Sequence, residues 1–274
     1  MVIRMFCIVM LLFPCYGFAQ ETYKTIGVFV ALADNEHQGI VKVPDAIGKG
    51  DDPDKNLYWG TADGLKGFFG RSKDWKLTQT TNTNSSILRT IIYRHTRHQV
   101  VLNAFAYKGE AISKCIQAFE MAISSGTYDM VVYIGHNGLM DFTIPMPNKT
   151  RVQGKAPDCV VLCCKSEQHF RERIISAGGR PILLTSQFMY PGAFILHAIV
   201  DDWILNKPLG TIRSSAGAAY AKKTRIFQRG RVLEFLQKSK KVMIKAKEKT
   251  EPDTSYQLEI NVGLLRLTQP TVFI

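Results

Sequence analysis

Two stretches of the chain place reactive side chains directly after apolar runs. Val131-Val132-Tyr133-Ile134 leads into Gly135-His136-Asn137-Gly138, and Val160-Val161-Leu162-Cys163 leads into Cys164-Lys165-Ser166. An imidazole and a thiol together are the parts of a covalent catalyst: the ring takes the thiol proton and the thiolate attacks a carbonyl carbon. Glycines beside the histidine let the backbone approach closely and leave amides to face a developing oxyanion, so Gly138 or Asn137 is the expected donor. A helix starting near Ser166 would favour the thiolate through its N-terminal dipole. The same residues also fit a plainer reading, with Gly-His-Asn-Gly as a tight turn holding a structural histidine and Cys164 as a buried strand residue.

For His136 and Cys164 to meet, their apolar runs must be neighbouring strands ending on the same side. In open parallel sheets, sites form outside the carboxyl ends of strands, near where the strand order reverses. The rest of the pattern agrees with such a sheet. Strands are expected at Lys24–Ala33, His98–Ala106, Met130–Gly135, Cys159–Cys164 and Pro181–Thr185. Helices are expected at Leu57–Phe69, Ser85–Arg94, Ala111–Ser124, Glu167–Ala177 and Ala193–Leu205, with Gly178-Gly179 as a helix stop. Continuous apolar strands separated by helices imply an α/β fold with a mostly parallel sheet covered on both faces. Asn35–Lys55, polar and rich in Gly and Pro, is too long for a simple connector.

The chain has 274 residues, long enough for one large domain with an appendage. Its 46% hydrophobic and 21% charged residues exclude disordered and low-complexity classes. Met1–Arg4, an apolar core to Phe18 and a small-x-small site at Gly17-Phe18-Ala19 predict a signal peptide over 1–19. The protein is therefore expected to be exported, periplasmic or secreted, with no transmembrane segment once the signal is removed. Cys7 and Cys15 would leave with it, and the remaining Cys115, Cys159, Cys163 and Cys164 are too few for a disulfide scaffold. Cys159 and Cys163 read as small core hydrophobes. With no Cys-x-x-Cys and no His-Glu-x-x-His, zinc is unsupported, and no metal or organic cofactor is expected. Phosphate-loop and dinucleotide glycine patterns and a Gly-x-Ser-x-Gly elbow are also missing.

The 20–222 region carries the α/β pattern, and 223–274 forms a small basic extension. There Arg225–Lys249 holds Lys238, Lys240, Lys241, Lys245, Lys247 and Lys249, and Tyr256–Val262 alternates like an edge strand. The net charge of +12 suits acidic partners. Export argues against nucleic acid, and a solvated helix face accounts for the lysines as well as an anionic surface does.

The His-Asn-Gly and Cys-Cys strand ends resemble the caspase-like (clan CD) cysteine peptidases, whose signature is one strand ending in His-Gly and a later one ending in a small residue plus Cys. His136 matches the base, Cys164 the nucleophile and Cys163 the small residue. Asn137 departs from the pattern by separating the histidine from its glycine. The strand–helix order from Lys24 to Leu205 fits that fold, so the likeness spans roughly two thirds of the chain. It implies a caspase-like three-layer core, a peptide or protein substrate and cleavage through a thioester without cofactor. By resemblance, Asp34 or Glu36, after the first strand, would line a pocket selecting Lys or Arg. Asp141 would either contribute to substrate binding or orient His136. The whole chain also resembles a set of exported bacterial proteins carrying Asp34–Ile40 and Asn56-Leu57-Tyr58-Trp59-Gly60, a likeness that brings no function. A catalytically inactive caspase-like binding protein and a basic envelope-binding module are the alternatives from other classes.

Overall fold

The computed structural model describes residues 23–148 and 155–225. The signal peptide expected over 1–19, most of the basic stretch 225–249 and the edge strand expected at 256–262 lie outside the described residues. Seven strands form one sheet in the order β2-β3-β4-β1-β5-β6-β7. They are β1 (Lys24–Ala31), β2 (Trp75–Asn82), β3 (Ile87–His95), β4 (Val100–Tyr107), β5 (Met130–Ile134), β6 (Asp158–Leu162) and β7 (Arg180–Leu183). β4, β1, β5, β6 and β7 run parallel, whereas β2–β3 and β3–β4 pair antiparallel.

The central parallel strands β1, β5 and β6 alternate between two cores. Ile26, Val28 and Val30 of β1, Val132 and Ile134 of β5, and Val160 and Leu162 of β6 face α1 (Leu65–Phe69) and α4 (Ala193–Ile204). Phe29, Val131, Tyr133, Cys159 and Val161 face α2 (Ile112–Ser125) and α3 (Ser166–Ser176). Both faces of each central strand are buried, which explains their unbroken apolar runs. Ile112, Cys115, Ile116, Phe119 and Ile123 supply the stripe by which α2 packs, at the spacing of one helix face. Gly126, at φ 63°, ends that helix in the left-handed conformation. Residues 209–225 are helical and add Ile212 and Ala216 to the α4 side.

Three expectations need correction. Ser85–Arg94 is a strand, not a helix. Ile87, Thr90, Ile91, Ile92 and Tyr93 are residues that suit a pleated surface, and burial alternates through Ile91 and Tyr93. Its partner β2 escapes pattern reading because only Trp75 in it is buried. Leu57–Phe69 is helical only from Leu65. Gly60 and Gly67 sit where a Cβ would strike the carbonyls of Asp54 and Thr61, so the glycines fold 56–64 into tight turns instead. Finally, β6 ends at Leu162, which leaves Cys163 and Cys164 in the turn beyond it.

Candidate functional site

β5 and β6 are adjacent and in register, Ile134 opposite Leu162. The ladder continues one step as the Gly135 amide donates to the Leu162 carbonyl at 3.3 Å. His136 and Cys164 each stand two residues beyond the Ile134–Leu162 pair, in the turns that follow β5 and β6. His136 hydrogen-bonds Asp141 and Cys164 Sγ meets the Met189 backbone, and the two side chains do not hydrogen-bond each other. Gly135, at φ 154°, leaves β5 so close to β1 that a Cβ would meet the Ala31 carbonyl at 2.9 Å. That position demands glycine, and it delivers the histidine.

His136 is only 9% exposed, and Asp141 holds it. The ring Nε2 lies 2.7 Å from Asp141 Oδ2, and the same oxygen accepts from the Gly39 amide at 2.9 Å. A carboxylate only accepts, so Nε2 carries the hydrogen and Nδ1 is left as the basic nitrogen. The Tyr133 hydroxyl donates to the His136 carbonyl at 2.7 Å and fixes the backbone from below. Asn137, fully buried, bridges the two strand ends. Its Nδ2 donates to the Cys164 carbonyl at 2.7 Å while its Oδ1 accepts from the Leu139 amide at 3.2 Å. The residue that interrupts His-Gly in the sequence is the clasp between the histidine turn and the cysteine turn.

The cysteine turn is tightly held. Cys163 points into the core, where burial pushes its thiol far up, while Cys164 is half-buried at the surface. Lys165 adopts φ 48°, a left-handed conformation unusual for a side chain with a Cβ, and α3 starts at once with Ser166. Ser166 Oγ lies 3.1 Å from the Val161 carbonyl and accepts from the Thr185 amide at 2.7 Å, locking the elbow to the segment after β7. Met189 brackets the Cys164 sulfur: its amide reaches Sγ at 3.4 Å and its carbonyl lies 3.6 Å away. Tyr58 is buried in the same neighbourhood. Burial first, then the charges of Cys164 and Cys163, push its phenol up, so it stays neutral. Neither Met189 nor Tyr58 was among the predicted site residues. Tyr58 lies in the Asn56–Gly60 segment that stood out by resemblance, but nothing in the sequence points to a backbone contact from Met189.

Of the two expected oxyanion donors, the Gly138 amide turns back to the His136 carbonyl at 3.1 Å. A Cβ there would press on Phe142 and Ile112, so that glycine serves packing. Among the described residues no acceptor takes the Asn137 amide. Asp34 is engaged in its own turn: Oδ1 accepts the Glu36 amide at 2.9 Å and the His37 amide at 3.2 Å, and Oδ2 meets His37 Nδ1 at 3.0 Å. Asp34 and Glu36 line a cavity of about 590 Å³ beyond β1 and β4, shared with lysines 49 and 108. A second cavity, apolar, opens beside Met189 and Leu162, and neither acid lines it.

The loop carrying Asp141 is anchored by a buried ion pair. Arg173 on α3 meets Glu120 on α2 at 2.5 and 3.0 Å and also donates to the carbonyls of Pro145 and Ile144. Burial pushes the Glu120 carboxyl up more than Arg173 pulls it down. Among the described residues no group of three His, Cys, Asp or Glu side chains is arranged to hold a metal ion, and no helix is long and apolar enough to cross a membrane. No protein-family model, no curated protein and no solved structure matches the chain.

Proposed function

We propose that the protein is an exported cysteine peptidase of the caspase-like kind, with Cys164 as nucleophile and His136 as base. The observation that carries the reading is the in-register pair of strands β5 and β6, with Asn137 reaching from the histidine turn to the Cys164 carbonyl. The strand order also supports it: without the β2–β3 hairpin, the first strand lies between the next strand and the histidine strand, followed by the cysteine strand. In this reading His136 Nδ1 takes the proton from Cys164 Sγ, and the sulfur bonds to the scissile carbonyl carbon. The carbonyl oxygen, now negative, is met by the Asn137 amide. As it re-forms its double bond, the carbon–nitrogen bond breaks and the proton passes from His136 to the departing amine. Water, deprotonated by the same ring, then releases the carboxylic acid and restores the thiol. Asp141 keeps the imidazole in the correct tautomer throughout.

The test is alkylation of the full chain with iodoacetamide between pH 5 and 9, read by mass spectrometry on each cysteine. Cys164 is expected to label at pH 6 at least about tenfold faster than an ordinary thiol of pKa near 8.5. His136→Ala should remove that advantage, and Cys164→Ala should remove the labelled peptide. An ordinary profile for Cys164, unmoved by His136→Ala, would sink the dyad.

A further inference from the structure

From the apolar cavity beside Cys164 we infer the substrate class: a peptide with a small, uncharged aliphatic residue, of alanine to valine size, on the acyl side of the scissile bond. This rests on the peptidase reading. Met189 joins the cavity to the nucleophile, since its backbone brackets the Cys164 sulfur and the residue also lines the cavity. Leu162, two residues before Cys164, forms another wall, and Leu183, Phe188, Ile195 and Tyr220 complete the apolar part. On the proposed reading, the side chain of an acyl group on Sγ is directed past Met189 into this cavity.

Size and charge narrow the choice. The free volume is about 30 Å³, on the order of two water molecules, which suits a methyl or isopropyl group and not an indole or guanidinium. Every lining residue is uncharged, so a carboxylate, ammonium or guanidinium buried among them would find no counter-ion within the lining. Lys165, outside the lining, is the wrong sign for a basic residue: its Nζ sits 4.6 Å from the centre of the Phe188 ring. Asp34 and Glu36, the acids expected to select Lys or Arg, line the other cavity and leave this one neutral.

The experiment uses the full chain and dipeptidyl acyloxymethyl ketones that differ only in the residue next to the ketone: Gly, Ala, Val, Phe, Arg or Asp. The thiolate displaces the carboxylate and forms a carbon–sulfur bond, so each rate is read as mass added to Cys164. Ala and Val reagents are expected to react at least about tenfold faster than Arg, Asp or Phe, since a pocket misfit of this kind is worth one to two orders of magnitude. Ala216→Leu, which fills the cavity from the 209–225 helix, should move the preference from Val towards Gly. Equal rates, or a preference for Arg, with iodoacetamide still labelling Cys164 rapidly at pH 6, would overturn the aliphatic selection and leave the dyad standing. Slow iodoacetamide labelling with no reagent outpacing a free thiol would overturn both.

Discussion

The same edge of the sheet carries two aspartate–histidine contacts that differ in which partner is buried. After β1, Asp34 is buried and His37 is exposed, with Oδ2 to Nδ1 at 3.0 Å. After β5, His136 is buried and Asp141 is about one-third exposed, with Oδ2 to Nε2 at 2.7 Å. In the first contact the carboxylate is the structural member, because it also holds two backbone amides of its own turn. The hydrogen bond and charge of Asp34 raise the His37 pKa, but the ring fronts solvent. In the second contact the acid serves the ring, whose other nitrogen is the one the proposed mechanism assigns to the Cys164 proton. An acid–imidazole contact acquires chemistry only when the imidazole is the buried partner and has something to deprotonate.

Substitutions separate the two contacts. Asp34→Ala should have the largest effect: it removes the acceptor of the Glu36 and His37 amides and empties a buried position packed against Gly50 and Gly109, for about 2–4 kcal/mol of lost stability in urea unfolding, with Cys164 labelling unchanged at pH 6. Slowed labelling there would erase the distinction drawn between the pairs. Asn137→Ala should cost about 2 kcal/mol, the usual penalty for leaving a buried partner unsatisfied, and also slow labelling of Cys164. If stability fell and labelling held, the clasp would be a fold element only. Asp141→Asn should leave the urea midpoint nearly in place while labelling slows about tenfold, equivalent to about 1.4 kcal/mol.

The smallest effect belongs to Asp54, remote from both contacts. Hydrogen bonds from Arg89 and Lys66 pull its pKa down to about 2. Because the folded value lies below the unfolded one, the stabilisation is present above about pH 4 and disappears as pH falls through 2. Asp54 is half exposed, so solvent screening reduces the gain to about 0.5 kcal/mol. Asp54→Asn should therefore differ from the parent protein at pH 6 and match it near pH 2 in chemical unfolding. A difference that persisted in acid would mean the ion pairs are not its source.

Much of this arrangement was legible in the residues. The parallel strands announce themselves because both faces are buried, and Gly-His and Cys at their ends mark where chemistry could gather. The β2–β3 hairpin was not legible: Ile87, Ile91 and Ile92 satisfy helical spacing by coincidence, and β2 shows solvent nearly all its side chains. The role of Asn137 was half legible, as a departure from the His-Gly pattern. Its contact with the Cys164 carbonyl depends on a register that no local signal specifies. The engagement of Asp34 depends likewise on where 35–38 turn back, and the apolar cavity on residues from four separate segments.

The β5–β6 ladder also bears on time. Its strands are buried on both faces and β7 covers the outer side of β6, so exchange of its amides with solvent requires opening of the core rather than local fraying. Two loops mounted on such a ladder cannot drift apart while the core persists. The reactivity of Cys164 should therefore not fade gradually on warming or in denaturant; it should last as long as the fold and vanish with it in one cooperative step.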